Sequence, residues 1–221
     1  MEEKLSWWTQ WLLQPQATRL HISLFHLHYW IGAIAGVYLT LMSFTGSIIV
    51  FQKELVHWRI VQWLVELHTN LLAGSVGRLV NGIGAASLTL LCLTGAIIWW
   101  PGVKHWRRSL KVDWNTNFPR INWDLHSALG FWLFLIVLLW GISGLYFVFP
   151  RAFSVFFVFD PADRFTDQWL YWLSALHFGR FSRLTEAIWA VFGLTPGVLA
   201  FTGTFICCRR VMFKKPSNPY R

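Results

Sequence analysis

The sequence contains few charged residues and few cysteines. Charged side chains make up 13% of its 221 residues, whereas soluble domains carry about a quarter, and this argues against a soluble globular protein. Its three cysteines, Cys92, Cys207 and Cys208, form no CxxC pair, so neither a disulfide scaffold nor a thiolate metal site is expected. The 16 tryptophans and 19 phenylalanines argue equally against a disordered chain.

Long apolar runs are the main feature of the sequence. A membrane-spanning helix needs about 20 apolar residues, and four uncharged runs reach that length: 29–51, 79–100, 127–149 and 187–208. Pro196 lies inside the fourth run, where it predicts a kink. The predicted fold is an all-α membrane protein, a single domain over residues 1–221 with four transmembrane helices. An interfacial segment precedes them at Trp7, Trp8 and Trp11.

The net charge of +9 is unevenly distributed along the chain. Residues 1–28, residues 101–126 and the tail after Cys208 hold twelve of the lysines and arginines, and the opposite connections hold seven. Because positive residues concentrate in cytoplasmic loops, both termini are predicted to be cytoplasmic. This explanation of the basic excess requires no nucleic acid as partner. The opposite connections, 52–67 and 150–176, are too short for a soluble periplasmic insertion of about 50 residues.

The two halves of the chain resemble each other. Four matches carry the resemblance: His28 with His126, His68 with His177, Thr45-Gly46 with Ser143-Gly144, and Thr94-Gly95 with Thr202-Gly203. The sequence therefore predicts a helix pair that is used twice, as repeats at about 19–101 and 120–210. Tandem pairs of this kind are related by a rough two-fold axis along the membrane normal.

Histidines at membrane depth are functional candidates because an ionisable side chain that faces lipid is costly. Under the two-fold relation, His28 faces His126 near the cytoplasmic side and His68 faces His177 near the periplasmic side. Each level offers two imidazoles and no carboxylate one helical turn away, which disfavours zinc. The spans contain no Asp or Glu for a proton relay. Haem b fits best, since it takes one axial histidine from each side within an apolar slot.

Glycines and arginines complete the two predicted haem sites. Glycines let a flat ring or a neighbouring helix approach closely, although ordinary helix packing explains any single one equally well. The glycine candidates are Gly46, Gly95, Gly144 and Gly203. The candidate cations for the haem propionates are Arg19, Arg120, Arg78 and Arg180. The remaining histidines, which have no repeat partner, are expected to be interfacial residues bonded to carbonyl groups: His21, His26, His57 and His105.

Six short motifs occur in order over roughly residues 19–210: LHYWIG at 27–32, LHTNLLAG at 67–74, GR at 77–78, TGAIIWWP at 94–101, DLHSALG at 124–130 and LHFG at 176–179. Together they resemble the PepSY-associated transmembrane-helix family, which includes bacterial inner-membrane ferric-siderophore reductases. The resemblance implies a multi-pass protein of the bacterial cytoplasmic membrane, b-type haems on the histidines of these motifs, and electron delivery to periplasmic ferric iron. Larger members carry a folded periplasmic insertion, which the short connections here do not accommodate.

The sequence thus predicts a transmembrane haem-dependent oxidoreductase of the ferric-siderophore reductase type. Electrons would come from a quinol or a cytoplasmic reductase and leave to a periplasmic ferric chelate or redox partner. A straight extension of the helices separates the two histidine levels by roughly 40 Å, so a protein with one haem instead of two stays open. Two alternatives also remain: a cytochrome b membrane-anchor subunit of a partner oxidoreductase, and a haem-free membrane protein for assembly or transport.

Overall fold

A computed structural model describes residues 6–55, 59–153 and 164–212, and it is helical throughout its regular elements there. The helices are α1 (Trp7–Leu13), α2 (Arg19–Ile49), α3 (Arg59–Asn70), α4 (Gly74–Trp99), α5 (Trp106–Ser109), α6 (Phe118–Trp132), α7 (Phe134–Val148), α8 (Pro150–Phe153), α9 (Arg164–Phe178), α10 (Arg183–Gly193) and α11 (Thr195–Met212).

Three stretches in the described ranges are long and apolar enough to cross a membrane: α2, α4, and residues 183–209 of α10 and α11. A fourth span results if α6 and α7, which are bent by 68° at Leu133, are counted together. All four predicted apolar runs therefore coincide with these helices. The chain is an all-helical, multi-pass membrane protein, and its exposed apolar side chains contact lipid.

The spanning helices begin earlier than the apolar runs predict. α2 starts at Arg19, ten residues before the predicted start, because the Thr18 hydroxyl caps it by accepting a hydrogen bond from the backbone N–H of His21. α6 starts at Phe118, where the Asn117 side chain accepts from the N–H of Arg120. Hydropathy does not register these polar first turns. Because the helices include them, His28 and His126 lie well inside helices rather than at their ends.

Near Pro196, where a kink is predicted, the helix is interrupted at Leu194 between α10 and α11. Pro196 lacks a backbone N–H, and the Ser43 hydroxyl of α2 enters the adjacent part of the helix. The N–H of Gly197 donates to Ser43 Oγ at 3.0 Å, and Ser43 Oγ donates to the carbonyl of Gly193. The hydroxyl thus replaces one backbone hydrogen bond and ties α2 to the broken span.

The spanning helices pack into a bundle in which α2 contacts α4 and α11, α4 also contacts α7, and α6 contacts α11. Small residues allow the closest approaches. Gly36 lies against Thr204, Gly141 lies against Thr89, and Gly84 lies beside the ring of Tyr38.

Two short helices, α3 and α9, fold back onto the bundle. Leu71 and Leu72, which have φ angles of 52° and 59°, form the turn between α3 and α4. Gly179, with φ of 65°, begins the turn after α9. α3 packs against α2 and α4, and α9 packs against α7. The last turns of α3 and α9 carry His68 and His177, which therefore return to the bundle instead of extending away from it.

Candidate functional site

The first histidine pair lies between α2 and α6. The ring centroids of His28 and His126 are 6.3 Å apart and the ring planes are at 88°. A metal bonds an imidazole nitrogen at about 2 Å, and that nitrogen lies roughly 1 Å from its ring centre. One metal ion between two imidazoles therefore needs about 6 Å between the ring centres. The distance between the ring centroids of His28 and His126 matches this value.

Threonine hydroxyls hold both rings of this pair. His28 Nδ1 lies 3.0 Å from Thr94 Oγ1 of α4, and His126 Nδ1 lies 2.9 Å from Thr202 Oγ1 of α11. Each hydroxyl also donates to the carbonyl four residues earlier in its own helix. Both rings are therefore oriented by a neighbouring helix through the nitrogen nearest the backbone.

The second pair is built in the same way at the other end of the bundle. His68 Nδ1 lies 2.9 Å from Thr45 Oγ1 of α2, and His177 Nδ1 lies 2.6 Å from Ser143 Oγ of α7. Each imidazole is thus oriented by a hydroxyl of a spanning helix, Thr45 on α2 and Ser143 on α7.

Side chains of the bundle fix the ends of the two short helices. Asn81 Nδ2 donates to the carbonyl of His68 at 2.7 Å, and Trp140 Nε1 donates to the carbonyl of His177 at 3.1 Å. Trp189 Nε1 donates to the carbonyl of Leu176 at 2.6 Å. The last carbonyls of a helix have no partner within that helix. These bonds therefore both satisfy the ends of α3 and α9 and hold His68 and His177 in place.

The folding back of α3 shortens the distance between the two histidine levels. Thr45, which contacts His68, follows His28 by seventeen residues on α2. At 1.5 Å per residue the two levels are about 25 Å apart along that helix. The estimate of roughly 40 Å was too long because it treated α3 as a straight extension of α4.

Three of the four candidate glycines lie against the histidine rings. A Cβ atom on Gly46 would lie 3.1 Å from His68 Cε1, one on Gly95 would lie 3.2 Å from His28 Cε1, and one on Gly203 would lie 3.2 Å from His126 Cε1. Gly144 differs, since its Cβ would lie 3.2 Å from Ala85 Cβ of α4. Gly46, Gly95 and Gly203 thus make room for imidazoles, whereas Gly144 makes room for a helix.

The candidate arginines have different surroundings. Arg120 pairs at 2.9 Å with the carboxylate of Asp124, which is 3% exposed. Arg78 donates to the carbonyl of Phe147 at 2.9 Å. The guanidinium of Arg180 lies 4.3 Å from the ring centroid of Phe178, and Arg19 is exposed in the first turn of α2.

Three buried hydrogen-bond donors have no acceptor in the described part of the chain. They are Trp99 Nε1, Trp100 Nε1 and Arg120 Nε. All three lie at the end of the bundle where α4 finishes and α6 begins, which is also the end that carries His28 and His126. Buried polar groups are normally paired, so these donors fit a bound group with an anionic acceptor, such as a haem carboxylate.

The sequence identified the histidines and missed their hydroxyl partners. The hydroxyl partners are the first residues of the repeated Ser/Thr-Gly steps: Thr45, Thr94, Ser143 and Thr202. Their position in the repeat was the feature of the sequence that could have identified them. Asn81 carried no signal, since only the folding back of α3 brings it to His68. For His21 the expected carbonyl bond is confirmed, because Nε2 lies 3.2 Å from the carbonyl of Ile98. His57 lies outside the described residues.

Within the described residues, no group of three or more His, Cys, Asp or Glu side chains could hold a metal ion.

Comparison with known proteins finds a family match in the central part of the chain. Residues 59–159 are similar to the family described as PepSY-associated TM region. This stretch includes His68 and His126, one histidine of each pair, so the resemblance predicted from the motifs is confirmed over these residues.

The chain also has a relative among curated proteins. Uncharacterized protein PA4219 of Pseudomonas aeruginosa is 32% identical over 84 residues, which cover 37% of this chain and 20% of that protein. The chain therefore spans about a fifth of that relative's length. No solved structure matches the chain.

Proposed function

We propose that the chain binds two b-type haems, one between His28 and His126 and one between His68 and His177, and moves electrons across a membrane. The observation that carries this proposal is the 6.3 Å spacing of the opposed His28 and His126 rings. Two axial histidines from different helices suit haem iron, whereas zinc takes three or four protein ligands.

The contacts around the histidines support two tandem repeats. In both halves the histidine of the first helix bonds a hydroxyl of the second, as His28 bonds Thr94 and His126 bonds Thr202. The histidine that precedes the second helix bonds a hydroxyl of the first, as His68 bonds Thr45. The same crossed pattern on both sides is what a two-fold relation between helix pairs requires.

Bound haem iron would supply the one-electron chemistry, and the protein supplies ligands, placement and a low dielectric. The four histidines hold the two groups at opposite ends of the bundle. The apolar helices exclude water from both sites. The folding back of α3 and α9 keeps the two levels about 25 Å apart along α2, well within the membrane.

The distribution of lysine and arginine supports a direction for the reaction. With both termini cytoplasmic in a bacterial inner membrane, the His28 end meets a quinol or a cytoplasmic reductase. The His68 end faces the periplasm, where a ferric chelate or a redox partner accepts the electron. The match to the PepSY-associated TM region supports a membrane protein, and the proposal of an oxidoreductase of the ferric-siderophore reductase type rests on the histidine pairs and on the motif resemblance.

A second candidate function is a cytochrome b anchor for a partner oxidoreductase. It is favoured by the shortness of the segments that connect α2 to α3 and α7 to α9, which leave little room for a domain that recognises a chelate. Reduction of a ferric chelate by the isolated chain in lipid vesicles, driven by a quinol, would support the first function. Reduction only after a soluble subunit is added would support the second.

The direct test is the visible spectrum of the purified full chain, with the ratio of haem to protein. We expect a sharp Soret band, a reduced α band typical of two histidine ligands, and two haems per chain. A colourless protein that also fails to take up added ferric protoporphyrin IX would overturn the proposal and favour a haem-free assembly or transport protein.

A further inference from the structure

We infer that Thr94, Thr202, Thr45 and Ser143 are positioning residues that select the tautomer of the histidine each one contacts. Each hydroxyl forces the ring proton onto Nδ1 and leaves Nε2 as the metal-binding atom. The inference rests on the proposed function for the identity of the bound group, whereas the tautomer is a property of the chain itself.

The direction of the hydroxyl protons decides the tautomer. A serine or threonine hydroxyl has one proton to donate and lone pairs to accept. Each of the four donates to the carbonyl four residues earlier: Thr94 to Leu90 at 2.6 Å, Thr202 to Val198 at 2.7 Å, Thr45 to Leu41 at 2.9 Å and Ser143 to Leu139 at 2.6 Å. A carbonyl oxygen only accepts, so a hydroxyl that donates to it has no proton left for the ring. In that arrangement the hydroxyl oxygen accepts from the ring, and Nδ1 is the donor.

The glycines beside the rings provide independent support. Cε1 is the ring atom between the two nitrogens, and Gly46, Gly95 and Gly203 each approach the Cε1 atom of their histidine closely. A hydroxyl at Nδ1 and bare backbone at Cε1 together fix the rotation of the ring about its bond to Cβ. In these three steps the hydroxyl thus sets the tautomer, and the hydroxyl and the glycine together set the direction of the imidazole.

This arrangement has a chemical consequence for a bound metal. A hydrogen bond from the second ring nitrogen of a metal-ligating histidine makes the first nitrogen more basic and holds the ring in position. Loss of such a bond typically weakens metal binding by about 10- to 100-fold. A more basic ligand favours ferric over ferrous iron, so each tenfold loss of that preference raises the one-electron potential by about 59 mV.

The test compares three substitutions on α4 in the full-length chain. Thr94→Val removes the acceptor for His28 with little change of volume, and Thr94→Ser keeps it. Thr89→Val is the matched control, because Thr89 also donates to the carbonyl four residues earlier, at 2.9 Å. Thr202→Val repeats the experiment on His126 and serves where Thr94→Val gives no folded protein.

The first readout is the nitrogen-15 NMR spectrum of the histidines in the haem-free protein. We expect His28 to carry its proton on Nδ1 in the wild type, in Thr94→Ser and in Thr89→Val, and to populate the Nε2–H form in Thr94→Val. A wild-type His28 protonated on Nε2, or a tautomer unchanged by Thr94→Val, would overturn the inference. This readout needs no haem, so it decides the tautomer even if the proposed function fails.

The second readout is titration with ferric protoporphyrin IX and the midpoint potential of the loaded protein. Thr94→Val should bind about 10- to 100-fold more weakly at the His28 end and have a raised potential there. Thr94→Ser should restore both values. Equal changes in Thr89→Val would show that helix packing, rather than the bond to His28, is responsible, and would contradict the inference.

Discussion

The two ends of the bundle hold their histidines in different ways. His28 and His126 belong to α2 and α6, which form parts of the spanning bundle, and their hydroxyl partners come from the neighbouring helices α4 and α11. His68 and His177 belong to the short helices α3 and α9, and their partners come from α2 and α7. The first pair therefore depends on the spans themselves, and the second depends on how two short helices dock. The same kind of hydroxyl contact to Nδ1 is thus reached through different supports, and mutations should separate the two ends.

Removal of a histidine should have the largest effect. His28→Ala should abolish the haem at its own end and leave the other, and His68→Ala should do the reverse, because each ring would be one of two axial ligands of a proposed haem. The measurement is the haem-to-protein ratio with the spectrum of the haem that remains. Loss of both haems in either variant, or of neither, would contradict the assignment of pairs. His105→Ala, which changes a histidine outside both pairs, is the control.

Loss of the buried carboxylate near His126, that of Asp124, should have the second largest effect. Asp124→Ala leaves Arg120 and the backbone N–H of Asp113 without their acceptor. Removing one member of a buried ion pair costs about 3–5 kcal/mol. Because Arg120 is 40% exposed, solvent screening reduces the expected cost to about 2 kcal/mol.

Unfolding of the purified protein in mixed micelles measures the loss caused by Asp124→Ala. The double variant Arg120→Met and Asp124→Leu removes both charges and should recover part of it. A double variant that is less stable than Asp124→Ala would show that the ion pair is not what stabilises this region.

A substitution that weakens the docking of α3 should have a smaller effect than the loss of the Asp124 carboxylate. Asn81→Leu removes the bond to the His68 carbonyl and leaves that carbonyl without a partner, at a cost of about 1–3 kcal/mol. The haem at the His68 end should be lost more readily on dilution, while the other haem is retained. The matched variant is Asn122→Leu, since Asn122 donates to the Thr202 carbonyl at 3.0 Å. It should weaken haem retention at the His28 end alone. Equal effects of both variants at both ends would contradict the independence of the two ends.

Substitutions at the glycines should have the smallest effects, and Gly46→Ala and Gly144→Ala should differ in which property they change. Gly46→Ala places a methyl group 3.1 Å from His68 Cε1, so the ring must move by a few tenths of an ångström. We expect a shifted spectrum for the haem at the His68 end with little change in stability. Gly144→Ala meets Ala85 instead and should change the melting temperature by a few degrees without altering either spectrum. A spectral shift in Gly144→Ala as well would show that both glycines influence the haem sites.

Much of the fold could be predicted because it depends on local composition. The four apolar runs identified the spanning segments, and Pro196 identified the break in the last one. The helix starts at Arg19 and Phe118 were missed because polar caps set them, and hydropathy does not register caps. The separation of α3 from α4 was missed because Leu71 and Leu72 adopt left-handed backbone angles that leucine rarely takes.

The candidate site was predicted only in part. The repeat identified His28, His126, His68 and His177 as a set, since matched positions in two halves require no knowledge of packing. It did not distinguish Gly144, which packs against a helix, from Gly46, which lies against an imidazole. That difference depends on which residue of another helix lies opposite, and the two glycines occupy equivalent places in the repeat.

Hydropathy and repetition are read along the chain, so the residues alone predict that this chain enters a membrane and that its histidines and hydroxyl-glycine steps occur in matched sets. The pairing of each hydroxyl with its ring becomes visible only in the folded bundle. His28 and Thr94 are 66 positions apart, and His126 and Thr202 are 76 apart. Contacts over such separations depend on the relative placement of whole helices, which is set by close packing between their small residues and by the turns that fold α3 and α9 back.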